Sequence, residues 1–79
     1  MSYTFDKYRV ANAFLYGATN GYKEFCRNVV YNYAQVYYTP VSDVLAEISV
    51  MFMDSEGFEP DDYKKIKIML QELMEEAKL

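Results

Sequence analysis

The chain has 79 residues, of which 52% are hydrophobic and 18% aromatic, and its formal net charge is −4. This composition is far from that of disordered proteins, and the length suits one small domain spanning residues 1–79. Because the chain has no histidine and a single cysteine, Cys26, an internal disulfide framework is excluded and a zinc site would need unusual ligands.

The first predicted helix is capped by Ser2 or Thr4 and runs to about Tyr16. Its core-facing positions are apolar residues at helical spacing, namely Val10, Ala11, Phe14 and Leu15. Gly17 is expected to supply the left-handed residue that ends this helix, and the segment GATNG then forms the turn.

The tyrosine-rich segment VVYNYAQVYYTP, residues 29–40, contains four of the nine tyrosines. An alternating strand pattern leaves a polar residue on each face, whereas a period of 3.6 residues gives an unbroken apolar stripe. We therefore predict a helix over residues 21–38 that Asn20 caps. Tyr31 and Tyr38, seven residues apart, fall on its exposed side. The predicted core face consists of Tyr22, Phe25, Cys26, Val29, Tyr33, Val36 and Tyr37.

Two further helices are predicted in the second half of the chain. The third begins at Pro40, which Thr39 precedes as the cap, and extends to about Met53. Its core face is Val41, Val44, Leu45, Ile48 and Phe52. The fourth begins at Pro60, after the loop DSEGFEP, and has two acids in its first turn, where the helix dipole favours them. Its core face is Tyr63, Ile66, Leu70, Leu73 and Ala77.

Four helices joined by short loops predict an all-α fold, a compact bundle of about four short-to-medium helices. Near Met1 there is no positively charged segment followed by an apolar core, and no apolar run approaches the roughly 20 residues that a membrane span requires. We therefore expect a cytoplasmic protein that makes no use of a membrane.

Charge is divided unequally along the chain. Residues 1–40 have a balance of +2 and residues 41–79 a balance of −6. Between Arg27 and Lys64 there is no basic residue. Seven acids accumulate there, namely Asp43, Glu47, Asp54, Glu56, Glu59, Asp61 and Asp62. Such a region repels nucleic acid and attracts basic surfaces.

No motif in the chain indicates a reaction or a cofactor. Cys26 lies on the predicted apolar stripe and has no histidine to activate it, so we expect a buried, inert thiol and a protein that is not an enzyme. The acidic segment DSEGFEPDD is the one metal candidate. Placing Gly57 at the sixth position of an EF-hand loop puts Phe52 first and Tyr63 twelfth, where ligands are required. We therefore expect no metal site.

The leading functional hypothesis is a small, non-enzymatic, acidic protein-binding protein. Its seven clustered acids would engage a basic, nucleic-acid-binding surface on a partner, and Tyr31 and Tyr38 would act as anchors. Inhibitors that mobile elements direct at nucleic-acid-binding host complexes, anti-CRISPR proteins among them, are analogous in size and charge, with carboxylates in place of phosphates. The analogy has no sequence motif behind it.

Two alternatives remain open. The first is a homodimeric helical module, in which the two exposed tyrosines pack against a second copy together with apolar positions off the main stripes: Val50, Met53, Ile68 and Met74. The second is a small nucleic-acid adaptor acting through residues 3–31, where aromatic and basic residues are interleaved: Tyr3, Lys7, Tyr8, Arg9, Lys23, Arg27 and Tyr31. Direct nucleic-acid binding is disfavoured because there is no basic helix face.

Overall fold

Four α-helices follow one another in the computed structural model, which describes residues 7–53 and 57–78. They are α1 (Lys7–Thr19), α2 (Lys23–Val36), α3 (Val41–Met51) and α4 (Pro60–Ala77). The predicted all-α bundle is therefore confirmed. The predicted caps of the first helix, Ser2 and Thr4, lie outside the described residues. Across the described ranges, no helix is both long enough and apolar enough to cross a membrane.

The core joins all four helices, and α1 packs against each of the other three. Its buried side chains are entirely hydrophobic within the described ranges. They are Val10, Ala11, Phe14, Ala18, Cys26, Val30, Ala34, Val44, Leu45, Ile48, Phe52, Ile66, Met69, Leu70 and Leu73. The predicted core faces of the first, third and fourth helices are confirmed at most positions. At their edges, Leu15, Val41, Tyr63 and Ala77 are partly buried.

The end of α1 differs from the prediction. The helix continues through Gly17 to Thr19, and the left-handed residue is Gly21, with φ of 74°. The Gly21 N–H donates to the Ala18 carbonyl at 3.2 Å, and the next N–H donates to the Gly17 carbonyl at 2.7 Å. This pair of bonds is a Schellman motif. Gly17 is therefore not the stop residue.

The predicted caps of α2 and α3 are also wrong. The side chain of Asn20 donates to the Tyr16 carbonyl at 2.8 Å, so it satisfies the end of α1 instead. Neither α2 nor α3 has a side-chain hydrogen bond at its N-cap. Pro40 is the N-cap of α3, and the Thr39 hydroxyl donates to the Tyr37 carbonyl. At α4, by contrast, Pro60 occupies the first turn as predicted.

The rotation of α2 is the largest departure from the sequence prediction. Its buried side chains are Cys26, Val30 and Ala34, while Val29 and Tyr33 are only partly buried. Four residues predicted in the core are exposed instead, by 40% to 57%: Tyr22, Phe25, Val36 and Tyr37. Cys26 and Ala34 are small, and together with Val30 they let α2 lie close to its neighbours. The aromatic edge of the apolar stripe therefore stays outside the core.

Cys26 lies at the contact between α1 and α2. Its side chain is fully buried, and its thiol donates to the Phe14 carbonyl at 3.5 Å. Burial raises the pKa of the Cys26 thiol from 9.0 to about 11, so the thiol is protonated at neutral pH. The prediction that Cys26 is buried is confirmed.

Candidate functional site

The chain leaves α2 through a second Schellman motif, and a tyrosine occupies its left-handed position. The Tyr38 N–H donates to the Gln35 carbonyl at 3.4 Å, and the Thr39 N–H donates to the Ala34 carbonyl at 2.9 Å. Tyr38 has φ of 53°, and it is the one non-glycine residue with positive φ among those described. α2 thus ends at Val36, two residues before the predicted boundary.

Glycine is the usual residue at this position because it has no Cβ to clash with the backbone. The chain itself provides the comparison, since Gly21 holds the equivalent place at the end of α1. A left-handed conformation costs a residue with a Cβ about 1–2 kcal/mol. Tyr38 is also 96% exposed, so no packing within the described chain offsets that strain.

The outer face of α3 begins five residues after Tyr38. Asp43, Glu47 and Val50 are spaced at i, i+4 and i+7 and are all exposed, Val50 by 63%. Among side chains of residues 8–53 and 57–78, ion pairs form at Glu75 and Glu76, and none forms at either α3 acid. We call Tyr38, Asp43, Glu47 and Val50 the α3 surface.

The remaining predicted acids lie elsewhere. Glu59, Asp61 and Asp62 are at the N-terminus of α4, and the Tyr63 hydroxyl ties that end to the Met53 carbonyl at 3.0 Å, just beyond α3. Eight residues of helical rise, about 12 Å, separate Asp43 from Met51 at the end of α3, and Met53 lies beyond it. The structure therefore divides the predicted acidic site into two groups. Two members of the site, Asp54 and Glu56, lie outside the described residues.

The α4 acids have a local role in the helix. Asp61 and Asp62 occupy the first turn, where the helix dipole stabilises carboxylates. Lys64 and Lys65 follow Asp61 at i+3 and i+4, the spacing at which opposite charges attract one another along a helix. Asp43 occupies the first turn of α3 in the same way, but α3 contains no lysine or arginine near its acids. The α4 group is therefore weaker evidence for a partner site than the α3 surface.

Tyr31 and Tyr38 are both exposed, as predicted, but they do not share a helix face. Tyr31 is 41% exposed and lies one turn after Arg27. Because α2 ends before Tyr38, the seven-residue spacing no longer places one tyrosine above the other.

Two of the basic residues in the first half of the chain are engaged within the bundle. Arg27 donates two hydrogen bonds to the carboxylate of Glu76, at 2.9 and 3.0 Å. The Lys23 ammonium lies 2.9 Å from the same carboxylate. The hydrogen bonds from Arg27 and then Lys23 lower the pKa of Glu76 from 4.5 to about 2. These contacts join α2 to α4.

This ion pair predicts a pH dependence of stability. Because the pKa of Glu76 is lower in the folded chain, its contribution is present above pH 4.5 and is lost as pH falls towards about 2. We expect Glu76→Gln to melt below the wild type at pH 7 and to match it near pH 2. Thermal melts monitored by circular dichroism across this range test the prediction. Glu75→Gln is the control, since Glu75 lies 3.9 Å from Lys78 on an exposed surface. A constant gap between wild type and Glu76→Gln would contradict it.

An aromatic cluster that the sequence prediction missed lies at the junction of α1 and α2. The Tyr16 ring centroid is 5.9 Å from that of Tyr22 and 5.8 Å from that of Phe25, both in edge-to-face geometry. The three rings are 40% to 56% exposed. The sequence feature that could have predicted this cluster is the width of the apolar stripe on α2, because a stripe this wide cannot be buried completely within a four-helix bundle.

Family models, curated proteins and solved structures were all compared with the chain, and none matches it. Within residues 7–53 and 57–78 there is no cluster of three metal-ligating side chains.

An open groove of about 500 Å³ between α1 and α4 is lined by residues including Lys23, Lys65 and Ile68. The Thr19 hydroxyl in this groove donates to the Leu15 carbonyl.

Proposed function

We propose that this protein is a non-enzymatic binding protein whose α3 surface engages a basic site on a partner protein. The observation that carries the proposal is Tyr38, an almost fully exposed aromatic residue held in a left-handed conformation that glycine would occupy without strain. The left-handed conformation closes the Schellman motif at the end of α2, but tyrosine in place of glycine at this position brings the isolated bundle no benefit. It is understandable if the tyrosine ring is an anchor that becomes buried in a complex.

The charge of the α3 surface indicates the chemistry of the partner. Asp43 and Glu47 lie on one exposed helix face and have no ion pair within the described side chains. Carboxylates without an ion pair, on the helix that follows an aromatic anchor, favour a partner that presents lysine or arginine, because complementary charge speeds association and fixes orientation. Val50 adds apolar area next to them.

A basic surface of this kind is typical of proteins that bind nucleic acid. We therefore propose that the protein inhibits a nucleic-acid-binding complex of its host in the cytoplasm, with carboxylates in place of phosphates. Support comes from the net charge of −4 and the small size, which acidic inhibitors from mobile elements share by analogy. The nucleic-acid adaptor has less support, because Lys23 and Arg27 are both engaged with Glu76.

Charge reversal on the α3 surface tests this proposal. The variant Asp43→Lys/Glu47→Lys is expected to lose the partner, because each reversed side chain then repels the basic site. We would capture proteins from host lysate with tagged wild type and with the variant, and then measure the affinity of the purified partner for both. A loss of at least about 100-fold is expected for two reversals.

The matched control is Glu72→Lys/Glu75→Lys. It changes the net charge equally, but on the exposed face of α4. Binding through the α3 surface requires that this control retain most of the affinity and that added salt weaken binding of the wild type. Equal losses of affinity in both variants would mean that binding depends on the net charge of the protein and not on the α3 surface. Undiminished binding by the α3 variant would exclude the proposed surface.

A further inference from the structure

The exposed side of α2 carries a second surface, which is uncharged. Phe25, Val29, Asn32 and Val36 follow one another at spacings of four, three and four residues, which is the repeat of a coiled-coil seam. Phe25 and Val36 are 40% and 57% exposed, Asn32 is exposed, and Val29 is partly buried against the core. We call these four residues the α2 seam. The exposed Asn28 beside it is also uncharged.

At its N-terminal end the α2 seam widens into the aromatic cluster. Tyr16 packs edge-to-face against both Tyr22 and Phe25, yet Tyr16 and Tyr22 are still 56% and 50% exposed. Exposed aromatic residues at this density are typical of protein interfaces. Within the part of the chain that the structure describes, the bundle leaves this apolar edge exposed, because α2 makes its core contacts through Cys26, Val30 and Ala34.

We propose that the α2 seam packs against the same seam of a second copy of this chain. Each copy has a net charge of −4, so two copies repel one another through most of their surfaces. The seam contains no charge, and it lies in the half of the chain whose balance is positive. Contact through this face therefore keeps the acids of α3 and α4 out of the interface. A nucleic-acid or basic protein partner would gain nothing electrostatically from an uncharged face.

The spacing of the seam fits a two-fold axis between antiparallel helices. If Phe25 of one copy lies opposite Val36 of the other, the same alignment places Val29 opposite Asn32 in both halves of the interface. The wide aromatic end of each seam then meets the narrow end of the other. Such an interface is self-complementary, as a two-fold contact must be.

The exposed area indicates how strong the contact is. Aromatic side chains present roughly 150–250 Å² each, so the exposed parts of the cluster and of Val36 amount to about 400 Å² per copy. Two copies would bury about 800 Å² from these residues alone, which is the size of weak, reversible interfaces. The expected product is therefore a dimer that forms at micromolar or higher concentration. This inference does not depend on the proposed function, since it uses a different surface.

Replacement of one seam amide by a carboxylate tests the dimer. Asn32→Asp has nearly the same shape but puts two like charges near the proposed axis, so dimerisation should weaken by at least about tenfold. Gln71→Glu is the matched control, because it makes the same chemical change at an exposed position of α4. Sedimentation velocity from about 10 μM to 1 mM would measure the dimer of each variant.

Wild type and Gln71→Glu are expected to dimerise equally, and added salt should strengthen their dimers because it screens the repulsion between acidic copies. Salt weakens the proposed partner binding through the α3 surface, so the two interactions are separable. A wild type that remains monomeric over the whole concentration range would overturn the inference. A dimer that Asn32→Asp leaves intact would also overturn it, since the contact would then lie on another face.

Discussion

Replacement of Gly17 with alanine is expected to destabilise the bundle by about 1–2 kcal/mol, although alanine is the better helix former by about 1 kcal/mol. A Cβ at this position would lie 2.6 Å from the Cys26 sulfur and 2.8 Å from a ring carbon of Phe25. The sulfur is fully buried in the core, so relief of the overlap requires repacking of Cys26 or a shift between the two helices. Overpacking costs about 1–3 kcal/mol, and an overlap with two atoms at once lies in the upper part of that range. A net loss of about 1–2 kcal/mol therefore remains after the helix gain of about 1 kcal/mol. For a domain of this size, the melting temperature should fall by about 5–15 °C.

A double-mutant cycle identifies the cause. Removal of the sulfur in Gly17→Ala/Cys26→Ala relieves the closer of the two overlaps and leaves the one with the Phe25 ring. The double variant should therefore be more stable than the sum of the two single changes predicts. Gly21→Ala provides the comparison. Gly21 has φ of 74°, and a Cβ added there would meet no atom within 4 Å, so strain alone destabilises that variant and Cys26→Ala does not rescue it. A Gly17→Ala protein as stable as wild type would mean that α1 and α2 are not in such close contact.

The sequence allowed correct prediction of the helices whose apolar residues form one narrow stripe. On α3, Val44, Leu45 and Ile48 leave a single choice of core face, and the structure places them there. On α2 the apolar residues span a much wider arc, so periodicity alone does not identify which edge is buried. The choice depends on how closely α1 approaches, which in turn depends on Gly17. Prediction of that contact requires the relative position of α1 and α2, whereas the periodicity of apolar residues describes each helix separately.

The candidate site was predictable in composition but not in arrangement. The exposure of Tyr38 and of the α3 acids followed from the pattern of charge and apolar residues. Two features did not follow. The division of the acids depends on the direction of α3, and the strain at Tyr38 depends on where α2 ends. Helix ends are set by local hydrogen bonds that a periodic pattern does not contain.

The variant Tyr38→Gly is expected to make the bundle more stable while removing its proposed function. Glycine adopts the left-handed conformation without the clash, although it also loses more backbone entropy on folding, by about 0.5–1 kcal/mol. The net gain should be about 0.5–1 kcal/mol, seen as a higher midpoint in urea unfolding with an unchanged slope. Tyr37→Gly is the neighbouring control. Tyr37 has φ of −102° and a ring 4.6 Å from that of Tyr33, so glycine there should destabilise the chain.

The binding half of this prediction has the opposite sign. If Tyr38 is an anchor, Tyr38→Gly should lower the affinity for the captured partner by about 30-fold or more, which is the usual effect of truncating an aromatic hot spot. A more stable protein that binds less well cannot be explained by loss of folding, so the two measurements together assign the strained tyrosine to function. If the variant is more stable and binds as tightly as wild type, Tyr38 is not the anchor. Binding would then rest on the acids of α3, because charge reversal at Asp43 and Glu47 acts independently of the ring.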